Sequence, residues 1–131
     1  MFAKSIFFIS CFFIIVTLFS CSKEAGEGGT STIYGTVWVI DYDKDGNLKG
    51  EYFGFDEDVF IVYGDNDVID EKTSTNYNGK YEFNYLRKGT YTIYAYSNCD
   101  TCISEMKPVI QTVEITDNNS AVEAPQLVVI R

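Results

Sequence analysis

From residue 32 onward the chain alternates. In TIYGTVWVID, residues 32–41, Ile33, Gly35, Val37 and Val39 fall on one side and Tyr34, Thr36, Trp38 and Ile40 on the other. That is the period of two expected of a half-buried β-strand. The same texture returns at 58–64 (DVFIVYG), 71–76 (EKTSTN), 80–86 (KYEFNYL), 90–97 (TYTIYAYS), 108–116 (PVIQTVEIT) and 125–131 (PQLVVIR). Each run is short and bounded by Gly, Asp, Asn or Pro. No stretch of helical length in this part of the chain has the helical period, so a βαβ architecture has nothing to build its crossovers from. Seven strands separated by such turns predict an all-β fold, an antiparallel β-sandwich over residues 32–131. The ten Tyr and ten Phe suit a pleated, half-buried surface.

The start of the chain has a different pattern. Residues 5–19 carry no charge, Lys4 precedes them, and Ser20 and Cys21 close the run. Charged start, apolar middle and small residue describe a secretory signal. A membrane-spanning helix needs about 20 apolar residues, more than this run has. Leu18, Phe19, Ser20 and Cys21 resemble the lipobox of bacterial lipoproteins. That resemblance implies cleavage after residue 20, acylation of the Cys21 thiol and attachment to the membrane through a lipid anchor, which two or three chains make stable. An uncleaved anchor and an ordinary signal peptide cut nearby are the competing readings. Residues 22–31 (SKEAGEGGTS) hold no large apolar side chain and three glycines, so 21–31 is expected to be a flexible tether. Ser22, Lys23, Glu24 and Glu27 are loosely similar to a surface-export signal of some Gram-negative phyla. The expected address is the cell envelope, at the outer membrane and surface-exposed.

Charge narrows the partners. The chain has 10 basic and 19 acidic side chains. Loss of residues 1–20 removes Lys4 and takes the net charge from −9 to −10. Such a surface repels nucleic acid and anionic lipid head groups and leaves cations, sugars or another protein as compatible partners.

Residues 73–97, TSTNYNGKYEFNYLRKGTYTIYAYS, are more specific than composition. Thr73, Thr75, Asn76, Asn78, Gly79, Tyr81, Phe83, Leu86, Gly89, Tyr91 and Ile93 match the pattern T-x-T-[DN]-x-[DN]-G-x-[YF]-x-F-x-x-L-x-x-G-x-Y-x-[IV]. The segment resembles the carboxypeptidase regulatory-like and transthyretin-like (prealbumin-like) sandwiches and the B-repeat domains of Gram-positive adhesins. The likeness covers residues 33–97 and implies a seven-stranded Greek-key sandwich. It says less about function, because such sandwiches serve as spacers, stalks, appendages and occasional enzymes. The hydrolase branch of the transthyretin-like fold relies on histidines, and this chain has none. The isopeptide cross-link of some adhesin repeats is also not expected, since residues 32–40 lack Lys and residues 125–131 lack Asn and Asp.

Three further groups carry candidate chemistry. Cys99 and Cys102 in SNCDTCIS could form a redox centre, half a zinc site or a disulfide. An oxidising compartment, a preceding strand rather than a helix start, and no second ligand pair favour the disulfide. Residues 41–71 hold eleven acidic side chains against Lys44 and Lys49. Within them Asp41, Asp43 and Asp45, followed by Gly46, begin like an EF-hand calcium loop. The twelfth position is Tyr52 and Glu51 lies one residue early, so a weak calcium site and a solvated Asp-Gly hairpin turn both fit. Calcium is the only cofactor in prospect.

The third group is aromatic. If Ile33, Val37, Val39, Ile93 and Ala95 point inward, alternation turns Tyr34, Trp38, Tyr94 and Tyr96 outward. They would form a flat, acid-rimmed platform for a glycan ring or a surface protein. The alternative is that the 41–57 connection or the tether covers them. Catalysis would have to rest on carboxylate pairs such as Asp56 with Asp58 in a small sandwich without an evident cleft, so an enzyme is not expected. The function classes that remain are a surface binding module and a passive spacer.

Overall fold

A computed structural model of the protein describes residues 24–131; the signal segment and Cys21 lie outside the described residues. Nine strands form two sheets. The first contains β1 (Glu27–Tyr42), β2 (Leu48–Phe53), β5 (Lys80–Leu86), β8 (Ala121–Glu123) and β9 (Leu127–Ile130). The second contains β3 (Asp58–Tyr63), β4 (Glu71–Ser74), β6 (Gly89–Asn98) and β7 (Met106–Ile115), in the order β4-β3-β6-β7.

The 16-residue β1 organises the first sheet. Along its first half it pairs antiparallel with β5 (Ile33 opposite Phe83) and parallel with β8 (Ile33 opposite Val122). Along its second half the neighbours are β2 (Trp38 opposite Phe53, antiparallel) and β9 (Trp38 opposite Val128, parallel). The sheet is therefore three strands wide, with both neighbours of β1 changing midway.

The inward faces meet in one core. Ile33, Val37, Val39, Phe83, Leu127 and Val129 from the first sheet pack against Val59, Ile61, Tyr91, Ile93 and Ala95 from the second, all fully buried. Each large side chain so placed stabilises the fold by about 1.5–3 kcal/mol. The motif spacing Phe83-x-x-Leu86 breaks the period of two because Tyr85 takes a left-handed backbone (φ 59°). The pairing slips there, and Leu86 rather than Tyr85 returns to the core.

Three expectations need correction. There are nine strands, not seven, because β2 and β8 escape a search for alternation. β2 is exposed at five of its six positions, and β8 is three residues long. The sandwich is not wholly antiparallel, since β8 and β9 run parallel to β1. The tether ends sooner than residue 31: β1 begins at Glu27, Gly26 is buried and Ala25 packs against the core. Here backbone contacts do the ordering that apolar side chains do elsewhere. The Gly26 amide donates to the Tyr91 hydroxyl (2.9 Å), which donates to the Arg87 carbonyl (2.6 Å), an arrangement like the tyrosine corner of immunoglobulin sandwiches. A side chain at Gly29 would collide with the Leu86 carbonyl, so this glycine serves close approach rather than flexibility.

The sandwich has two poles. Residues 25–30, 87–89 and 117–120 lie together at one, joined by the Arg87 amide to the Gly26 carbonyl and the Asn119 amide to Thr30 Oγ1. The 43–47 turn, Asn98, Asp100 and Arg131 meet at the other.

Candidate functional site

The four outward aromatic residues do point out of the core, but on two different faces. Tyr34 and Trp38 lie on β1, in the first sheet, and Tyr94 and Tyr96 on β6, in the second. They do not make one platform, because alternation fixes inside from outside and is silent on which sheet a strand joins. The 41–57 connection covers Trp38 in part and leaves it half-buried. It forms β2 beside β1, and the Phe53 ring meets Trp38 edge-on at 4.9 Å.

On the second sheet the rings gather around a residue the search for outward aromatics missed. Phe60 on β3 stands opposite Tyr94 in the ladder and stacks on it at 5.1 Å. Tyr96 meets Phe60 edge-on at 5.7 Å and Tyr94 at 5.6 Å. Burial, followed by the neighbouring Tyr96, raises the Tyr94 phenol above its ordinary pKa, so it stays neutral and can donate a hydrogen bond. Ile110 on β7 continues the row beside Tyr94 and Pro108 lies beside Tyr96. The apolar surface stays open: Tyr96 is 39% exposed, Met106 41% and Ile110 55%. Residues 59–63 are apolar without a break, so alternation does not say which way Phe60 points, and its pairing with β6 was equally illegible.

One end of this surface is acidic. Asp56, Glu57, Asp58, Phe60, Tyr96, Met106 and Arg131 line a shallow depression of about 220 Å³. The buried Thr75 fixes the segment that carries the acids. Its hydroxyl donates to the Gly54 carbonyl (2.6 Å) and accepts from the Glu57 amide (2.8 Å). Asp56 takes a left-handed conformation (φ 54°), with its amide on the Thr75 carbonyl at 3.0 Å. Arg131 holds the Glu57 carboxylate and donates to the Tyr96 carbonyl at 2.8 Å, tying the end of β9 to β6. Asp58 accepts from Lys72 (3.4 Å) and Ser74 (3.2 Å). Asp56 and Asp58 are exposed and keep acceptor capacity. Ring faces beside carboxylate acceptors can stack on the C–H face of a sugar and receive its hydroxyls.

Of the two readings of the acidic turn, the geometry shown is that of a hairpin turn held by its own side chains. Asp43 Oδ1 accepts from the Asp45 and Asn47 amides at 2.9 and 2.8 Å, and Asn47 Nδ2 reaches Oδ2 at 3.1 Å. These bonds, the Asn47 amide first, lower the Asp43 pKa. Asp41 faces Lys49 at 3.5 Å and the Tyr52 hydroxyl at 3.4 Å. Asp41, Asp43, Asp45 and Glu51 are not brought together: among the described residues no group of three or more His, Cys, Asp or Glu side chains is placed to hold a metal ion.

Cys99 and Cys102 form a disulfide in the loop between β6 and β7. The Cys99 amide bonds the Glu105 carbonyl at 2.8 Å across that loop, and Ile103 stands fully exposed at its tip. A further pair missed from sequence, Phe55 and Tyr77, stacks at 4.2 Å between two loops.

No family model matches the chain, and no curated protein matches it significantly. Among solved structures, one titled a "putative carbohydrate binding protein" from Pseudomonas aeruginosa is similar at 15% identity and a TM-score of 0.47, over 82% of this chain and 92% of the other. A likeness that loose leaves the function to be argued from the surface described above.

Proposed function

We propose that this chain is a cell-envelope lipoprotein, fastened through Cys21 to the outer membrane and exposed at the surface, whose transthyretin-like (prealbumin-like) sandwich is a non-catalytic binding module for a glycan. One observation supports the binding role above the others: the half-buried Phe60 and Tyr94 and the exposed Tyr96 pack into an aromatic surface that ends in the Asp56 and Asp58 carboxylates. A wet sheet face with no partner has little use for clustered rings of that size. The depression is smaller than the 300–1,000 Å³ clefts typical of enclosed ligands, which suits one ring of a longer chain lying across the sheet. The non-catalytic reading rests on the lack of histidine and on carboxylates that stand open to water. The lipoprotein reading rests on the Leu18 to Cys21 motif, and the sandwich type on the match between Thr73 and Ile93.

The test is a screen of the full-length chain in uncharged detergent against soluble oligosaccharides, repeated with Tyr96→Ala. Tyr96 packs on Phe60 and Tyr94 yet is partly exposed, so the variant should stay folded with a modestly lowered melting temperature and bind the selected glycan at least about tenfold more weakly, a loss of about 1.4 kcal/mol. No binding by the parent chain would leave the passive spacer as the better reading, and undiminished binding by Tyr96→Ala would move the site away from the Phe60, Tyr94 and Tyr96 surface.

A further inference from the structure

The other pole carries the opposite chemistry. A depression of about 530 Å³ is lined by Gly28, Gly29, Thr30, Arg87, Lys88, Asn118 and Asn119. It contains two adjacent cations and no carboxylate, in a chain with 19 acidic side chains. Four other surface depressions of the molecule are each lined by at least one Asp or Glu.

The backbone around this depression is held from several sides. The Arg87 amide donates to the Gly26 carbonyl (2.9 Å), and the Arg87 carbonyl accepts from Tyr91. The Asn119 amide donates to Thr30 Oγ1 at 3.0 Å. Space opens above Gly28, where an added side chain would meet nothing within 4 Å. Arg87 Nε is buried and has no hydrogen-bond partner, and neither Arg87 nor Lys88 forms an ion pair among the described residues. With no carboxylate partner, both charges are left for an anion that enters the depression.

We propose that this depression binds a phosphate group, held by Arg87 and Lys88. Guanidinium donors match the several acceptor oxygens of phosphate, the adjacent ammonium adds a point charge, and the Asn118 amide supplies a neutral donor at the rim. The acidic remainder of the molecule does not forbid this, because charges beyond about 8 Å are largely screened at physiological ionic strength. The phosphate can come from a lipid headgroup or from a soluble phosphate ester. The headgroup source rests on the lipid-anchor reading, since the chain enters the fold at Ala25, on this same pole; the site itself does not depend on it.

Nuclear magnetic resonance of the Arg87 Nε–H group in the full-length chain separates the cases. In uncharged detergent at an ionic strength of about 0.15 M, added inorganic phosphate should give a saturable shift. Arg87→Gln removes the observed group, so its binding is read from the Asn118 and Asn119 amides, which report for every variant. Arg87→Gln and Lys88→Gln should each weaken binding at least tenfold. Lys88 is exposed, so its variant tests the site without risk to folding, and melting temperature controls for Arg87→Gln. In phosphatidylglycerol nanodiscs, an Arg87 signal already shifted before phosphate is added identifies the headgroup as the source. A shift that appears only with added phosphate identifies a soluble ester. A chain that does not co-elute with the discs refutes the anchor and leaves the phosphate titration to stand alone. The absence of a saturable shift in phosphate, or Lys88→Gln binding as tightly as the parent, would overturn the proposal.

Discussion

Gly35 is a core-facing position without a side chain, and Tyr81 is the reason. The two residues face each other across β1 and β5, and a Cβ on Gly35 would lie 2.5 Å from the Tyr81 hydroxyl and 2.8 Å from Cζ. Alternation placed Gly35 inward, but the ring that fills its space belongs to a strand distant in sequence. Gly35→Ala is expected to destabilise by about 1–3 kcal/mol, as overpacking does, in a denaturant midpoint measurement. The Tyr81 hydroxyl is buried without a partner, and burial raises its pKa far above the ordinary phenol range. Tyr81→Phe should therefore stabilise, by about 1–3 kcal/mol. Asp43 carries a pH dependence of the opposite kind. Its folded pKa is lowered from 3.8, so its contribution is fully present above that value and is lost as the pH falls through the folded one. Asp43→Ala should be less stable than the parent at neutral pH, with the difference closing in acid; a difference that persists unchanged there would remove the turn-capping role.

The disulfide belongs to one loop and should act on that scale. Cys99 and Cys102 are three residues apart, and closing so small a loop is worth about 2 kcal/mol by chain entropy. Replacing both with Ser should cost no more than that and leave β6 and β7 paired. Loss of cooperative unfolding would mean that the bridge supports more than the loop. Strands were legible from sequence wherever one face is buried, as in β1, β3, β5 and β6, because burial imposes the period of two. β2 was not, since it is exposed nearly throughout and follows a turn rather than a core. The same limit governs the candidate site. Tyr94 and Tyr96 were correctly read as outward, whereas their separation from Tyr34 and Trp38 depends on which sheet each strand joins. Phe60 entered only through its register with Tyr94.

Across the whole molecule, the two poles give the proposals a direction. Ala25 enters at the pole with Arg87 and Lys88, while the acidic turn lies at the opposite pole, and Tyr96 and Arg131 lie toward it. If Cys21 is acylated, the basic depression lies nearest the membrane and the acidic, aromatic one farther from it. Cys21→Ala should then release the domain or leave an uncleaved precursor; a variant still acylated and membrane-bound would end the lipoprotein reading. The most direct measurement of the binding role is amide chemical-shift mapping with the glycan selected by the screen. Shifts are expected to centre on Phe60, Tyr96 and Asp58, with Trp38 and Phe53 on the opposite face unmoved. Shifts confined to the Trp38 face, or no shifts at any accessible glycan concentration, would contradict that expectation.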